Sequence, residues 1–102
     1  LYSDVEEQGS ELALPQTAQL TKCYPNPFNS TVTLEFSLPV PENIKLTVYD
    51  ILGREVAVLD NSRKIRGSHT LTWTANNLAT GLYFAVLDAG DVRSTQKLLL
   101  MK

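Results

Sequence analysis

The chain holds one cysteine and one histidine in 102 residues. A lone cysteine excludes an internal disulfide, and one cysteine with one histidine cannot complete a zinc site. Cys23 is expected to be a small buried apolar residue. No apolar run is long enough to cross a bilayer as a helix. No glycine-rich phosphate loop is present, and no G-x-S-x-G elbow offers a serine nucleophile. A net charge of −2 gives no electrostatic footprint for nucleic acid. Initiator methionine, signal-peptide pattern and internal repeat are all missing. The chain is therefore expected to be the C-terminal part of a larger precursor, with any targeting segment upstream.

What is there falls into two parts. Residues 1–17 carry four acids (Asp4, Glu6, Glu7 and Glu11) and no base, while the remainder carries nine bases against seven acids. The first part reads as a solvated acidic linker and residues 18–102 as one near-neutral domain with a modest core. After the linker, strand signals recur with turn chemistry between them. A short strand over 18–23 is ended by Pro25. In "TVTLEFSL", Val32, Leu34, Phe36 and Leu38 share one parity, the two-residue period of a half-buried strand. "IKLTVYD" alternates in the same way. "ILG" turns the chain and "REVAVL" runs back, followed by "DNSRKIRG", read as a polar loop. "SHTLTWT" sets His69, Leu71 and Trp73 on one face. "LYFAVLD" is apolar on both parities, and "VRSTQKLLLM" is the last strand after an "AGD" turn. No helical period is sustained. About seven strands on short loops predict an all-β, immunoglobulin-like antiparallel β-sandwich. Within "LATGLYF", Tyr83 stands where such sandwiches place a tyrosine that bonds back to upstream backbone.

Catalytic chemistry finds little support in this pattern. His69 is expected at the mouth of its strand, with its ring against the core edge. Asp50, Asp60, Asp88 and Asp91 fall at strand ends and turns, where aspartate caps its own turn. They lack the D-x-D-x-D-G ladder of a calcium loop. Arg63, Lys64 and Arg66 read as a solvated loop tip. Asn29 opens an N-S-T sequon, but it also fits a turn cap ahead of the strand. Tyr24, Tyr49 and Tyr83 are candidates for a sugar-binding platform if they share a face.

The most informative stretch is "YPNPFN". Tyr24 and Asn26 each precede a proline and are pushed toward extended conformations. Phe28 can anchor the segment in the core. A stiff corner results, fit to carry the first strand from one sheet toward the other without leaving a sticky edge. "QKLLLMK" is expected to hide Leu98, Leu99, Leu100 and Met101 inside a sheet. Lys102 would then stand at the surface beside a sheet edge, where a partner strand could add.

Together, "CYPNPFNSTVTLEFSLP", "KLTVYDILGREVAVL", "GSHTLTW", "ATGLYFAVL" and "KLLLMK" resemble the C-terminal sorting domain of the type IX secretion system, over about residues 18 to 102. The resemblance implies a seven-stranded immunoglobulin-like sandwich that is not an enzyme and needs no cofactor. It implies an address label for a covalently linked upstream cargo, with no nucleic acid or small-molecule substrate. The implied partners are an outer-membrane translocon and a sortase-like peptidase. The implied route runs through the periplasm to the cell surface or beyond, with the domain removed near the acidic linker. Carried over by motif, the recognition residues are Pro25, Asn26, Pro27 and Phe28; Gly81 and Tyr83; and Lys97, Leu98, Leu99, Leu100, Met101 and Lys102. Ser94-Thr95-Gln96 precedes a single lysine where many members carry a pair. The immunoglobulin-like domain of the flagellar hook-capping protein shares part of this frame. An assembly module of that kind, or a carbohydrate-binding module, is the alternative reading.

Overall fold

A computed structural model describes residues 17–102. The acidic linker falls outside them, apart from Thr17. Seven strands follow one another: β1 (Gln19–Tyr24), β2 (Thr31–Leu38), β3 (Glu42–Asp50), β4 (Glu55–Lys64), β5 (Gly67–Thr74), β6 (Gly81–Ala89) and β7 (Val92–Leu100). They form two antiparallel sheets, one ordered β1-β2-β5 and the other β4-β3-β6-β7. The expected sandwich is present. Its fourth strand pairs with β3 rather than with β5, unlike the arrangement of constant immunoglobulin domains.

The core follows from alternation. Val32, Leu34, Phe36 and Leu38 point inward from β2, and Ile44, Leu46 and Val48 from β3. Tyr83, Ala85, Leu87 and Ala89 of β6, with Leu98 and Leu100 of β7, line up beside the β3 side chains and face those of β2 across the core. Each Val, Leu, Ile or Phe side chain among them contributes about 1.5–3 kcal/mol on burial. In β1 the pairing shifts register between Leu20 and Lys22. This bulge changes the strand's parity, so that both Leu20 and Cys23 pack toward the core. His69 lies half-buried, its ring stacked on Phe36 at 5.2 Å, and Nε2 meets the Ile65 carbonyl at 2.8 Å.

Two expectations are corrected. Asp60–Lys64 are not loop: β4 continues through them, paired with Glu42–Leu46 of β3. The segment is polar because β4 is an outer strand, and Lys64 and Ser62 both engage Asp60 along it. The second concerns the last strand. β7 belongs to one layer of a two-layer sandwich, so only its inner face is covered. Leu98 and Leu100 are fully buried, whereas Leu99 is 37% exposed and Met101 52%.

The two sheets meet along β1 and β7. The Leu20 amide donates to Ser94 Oγ at 2.9 Å, and Gln96 Nε2 donates to the Leu20 carbonyl at 3.2 Å. Side chains of β7 thus take up both backbone groups of Leu20, which protects β1 from outside pairing at that point.

Candidate functional site: the pole of the proline corner

Strand pairing gathers the motif residues at one pole of the sandwich. Asp50 lies opposite Tyr83, Gly81 opposite Leu100, and Thr31 opposite Thr74. The opposite pole holds Leu38, Ala89 and Asp91 around a recess that Thr17 also lines. The described chain therefore begins at the far end from its proline corner.

The corner itself is a clamp on β7. Both of its X–Pro bonds, Tyr24–Pro25 and Asn26–Pro27, are cis, and the chain bends repeatedly between β1 and β2. Asn26 Nδ2 donates to the Lys97 carbonyl at 2.8 Å, and the Leu99 amide donates to Asn26 Oδ1 at 3.0 Å. One side-chain amide thus stands in for a peptide group of a neighbouring strand. Two residues on, the Phe28 amide donates to the Leu99 carbonyl at 2.9 Å and the Met101 amide to the Phe28 carbonyl at 2.8 Å. Phe28 and Leu100 form a parallel bridge. The corner does not carry the first strand across: β1 and β2 on either side of it pair within one sheet, and the corner touches the other sheet through this bridge and the Asn26 bonds.

The consequence for β7 is geometric. The Lys97 carbonyl, both backbone groups of Leu99 and the Met101 amide all have partners inside the domain. A strand added at this end, as the sequence suggests, meets no free backbone group at those positions. Phe28 anchors the clamp: it is buried and lies 5.9 Å from Trp73 in a tilted ring pair.

Tyr83 makes the corner bond expected of it, its hydroxyl donating to the Ala79 carbonyl at 2.7 Å. Gly81 opens β6, where an added Cβ would meet nothing within 4 Å; crowding does not require glycine there. Lys102 is held against the same loop. Its amide donates to Thr80 Oγ1 at 3.1 Å and its Nζ to the Asn76 carbonyl at 2.9 Å. Pro25, Pro27 and the Lys97 side chain are exposed. The twelve residues carried over by motif divide accordingly. Phe28, Tyr83, Leu98 and Leu100 serve the core, Asn26 the clamp, and Pro25, Pro27, Lys97, Leu99, Met101 and Lys102 reach solvent, with Gly81 at the edge of a cleft.

The β3–β4 turn, capped by Asp50 as the sequence suggests, shares this pole; what the sequence does not disclose is that the turn borders a cleft with Thr80–Tyr83. The Asp50 carboxylate organises the turn. Oδ1 accepts from the Leu52 and Arg54 amides at 2.9 and 3.0 Å, and Arg54 Nε donates to Oδ2 at 2.8 Å. These bonds, the Arg54 amide first among them, hold the Asp50 carboxyl below its ordinary range against a smaller effect of burial. Gly53, at φ +81, supplies the left-handed residue the turn requires. A shallow cleft of about 310 Å³ lies between this turn and Thr80–Tyr83. The signal for the turn is the Asp-x-x-Gly-Arg spacing of residues 50–54.

The remaining candidates do not assemble. Tyr83 is buried, Tyr24 is exposed at the end of β1 beneath Lys22 Nζ, and Tyr49 is half-buried on β3. The three do not make one platform. Asp50, Asp60 and Asp88 are paired with Arg54, Lys64 and Arg93. Among the described residues, no group of three His, Cys, Asp or Glu side chains is placed to hold a metal ion.

The arrangement defines a β-sandwich module whose last strand is clamped by a proline corner, with its motif residues gathered away from the point where the described chain begins. The chain belongs to the secretion system C-terminal sorting domain family, which matches residues 22–101. It is thus a type IX secretion sorting signal of a family of non-catalytic tails. Membership implies interaction with the type IX machinery and export to the cell surface or extracellular space. No curated protein matches the chain.

Proposed function

We propose that residues 18–102 act as a folded address label, read at the proline-corner pole by the outer-membrane translocon. A cargo joined through residues 1–17 is carried with it across the outer membrane. A sortase-like peptidase then cuts within or near that acidic segment, and the cargo is left on the surface or released. The observation that carries this reading is the convergence of three separate sequence motifs on one pole, opposite Thr17. Cleavage on the far side of the domain would leave the pole engaged while the cargo is freed. Because the outward backbone groups of Leu99 are already taken, recognition is of side chains on the folded pole rather than by strand addition to β7.

The test is a reporter carrying a periplasmic signal, fused ahead of residue 1 and expressed in a type IX-competent cell. The expected result is surface or medium reporter that depends on the tail. Equal export with an unrelated β-sandwich in its place would refute the proposal. Within the tail, Lys97→Ala and Lys102→Ala spare the core. Reduced export from the pair, with an unchanged melting temperature, identifies charge at this end as part of what is read.

A further inference from the structure

Ile51 and Leu52 form an exposed apolar tip, 68% and 72% accessible, on the turn that Asp50 organises. The turn does not need them. Asp50 Oδ1 satisfies the Leu52 and Arg54 amides, the Gly53 amide donates to the Asp50 carbonyl, and the Asp50 amide donates to the Arg54 carbonyl. Neither side chain belongs to the core or to the residues packed against it. Polar residues are the usual occupants of such a position. Two adjacent large apolar side chains exposed on a braced turn point to a contact made outside the chain.

Placement narrows the occupant. The tip borders the cleft that Gly81 and Leu82 line on its other side, and Lys102 is bonded to Thr80 on the same rim. It lies at the pole away from Thr17, so an upstream cargo joins the domain at the other end. Because the family works by engaging the secretion machinery, the surface remote from the cargo is the one left free for that encounter.

We infer that Ile51 and Leu52 are a docking knob that inserts into an apolar recess on a protein of the type IX machinery. The inference rests on the proposed sorting function and adds the contact that reads it. Binding energy concentrates where a side chain fills a well-packed, desolvated pocket, and a preorganised turn lowers the ordering cost of such a contact.

The experiment uses the reporter fusion described above with Ile51→Ser and Leu52→Ser combined, changes that keep Asp50, Gly53 and Arg54. The melting temperature of the domain should stay within about 2 °C, since exposed positions move stability little. Export should fall at least tenfold, with reporter retained in the periplasm. The conservative pair Ile51→Val and Leu52→Met should export as wild type, as should Val40→Ser with Ile65→Ser, which removes exposed apolar side chains away from the tip. Equal export by the tip variant and wild type overturns the docking knob alone. A wild-type tail that exports nothing overturns the sorting function and this inference with it. Loss of a concentration-dependent dimer by the tip variant, with export intact, assigns the tip to a second copy of the chain and overturns the machinery contact.

Discussion

Replacing Asn26 by alanine isolates the clamp on β7. The change removes the bonds to the Lys97 carbonyl and from the Leu99 amide, at 2.8 and 3.0 Å. Each bond of this kind contributes about 0.5–1.5 kcal/mol net, which sets an upper range of about 1–3 kcal/mol. Asn26 is exposed, so water can replace it on the freed groups, and the lower end, about 1 kcal/mol, is expected. For a domain of this size that lowers the melting temperature by about 4–8 °C. The sharper readout is local. The Leu99 amide has Asn26 Oδ1 as its partner, and without it becomes an open edge amide. Its hydrogen exchange should accelerate by roughly a hundredfold or more relative to amides of β6, which keep their partners.

Asn26→Asp separates the two bonds. It keeps an acceptor for the Leu99 amide but loses the donor to Lys97 and turns a carboxylate oxygen toward a carbonyl. Leu99 should stay protected in this variant, while the melting temperature still falls. Amide exchange followed by NMR, with thermal unfolding on the same samples, decides the matter. Leu99 protection in Asn26→Ala equal to that of wild type would refute the clamp, because no other side chain would then explain how that amide is held.

Four further outcomes follow from the same geometry. Tyr83→Phe removes the bond to the Ala79 carbonyl and should cost about 1 kcal/mol in urea unfolding; no change would mean the corner is held by packing alone. Leu98→Ala should cost about 2–5 kcal/mol against about 0.5 for Leu99→Ala, despite their adjacency, because only Leu98 faces the core; equal losses would show β7 covered on both faces. Asp50 has a lowered folded pKa, so its contribution is present above the ordinary carboxylate value of 3.8 and is lost as pH falls through the folded value. The gap in urea midpoint between wild type and Asp50→Asn should be full at pH 6 and narrow below pH 4; a gap independent of pH would exclude the charged bracket. Burial pushes the Cys23 thiol up to about 11, so at pH 8 labelling by a disulfide reagent should be slow in the native domain and fast in urea; rapid native labelling would place the thiol outside the packed edge.

The division between what the sequence discloses and what it conceals is itself physical. β2 was legible because one covered face imposes a two-residue period, and Val32 to Leu38 display it without interruption. Tyr83 was legible because a corner tyrosine acts locally, four residues from its acceptor. The far half of β4 was missed because an outer strand can be polar: Asp60 to Lys64 need backbone partners on one side only. Leu99 and Met101 read as core in the sequence because a run of four apolar residues looks the same whether one face of its strand is covered or both. The clamp was invisible because Asn26 and its partners are 71 and 73 residues apart. Nothing near Asn26 announces a bond to Leu99, and the stiffness of the prolines showed only that the segment had a fixed shape.

That division bears on how the motifs of this family are to be probed here. A motif residue can be retained because the fold needs it or because a partner touches it, and mutation confuses the two whenever the side chain is buried. Phe28, Tyr83, Leu98 and Leu100 are buried, and truncating any of them would unfold or loosen the pole that a partner would meet. Loss of export after such a change carries no information about contact. The informative set is smaller: Lys97, Lys102, Leu99, Met101 and the Ile51–Leu52 tip reach solvent from a scaffold whose backbone they do not hold with core packing. If export depends on these while stability does not, the pole is read through its side chains. If export instead follows stability alone, whichever residue is changed, then the machinery requires only that the last strand be folded and clamped, and the address lies in the shape of the sandwich.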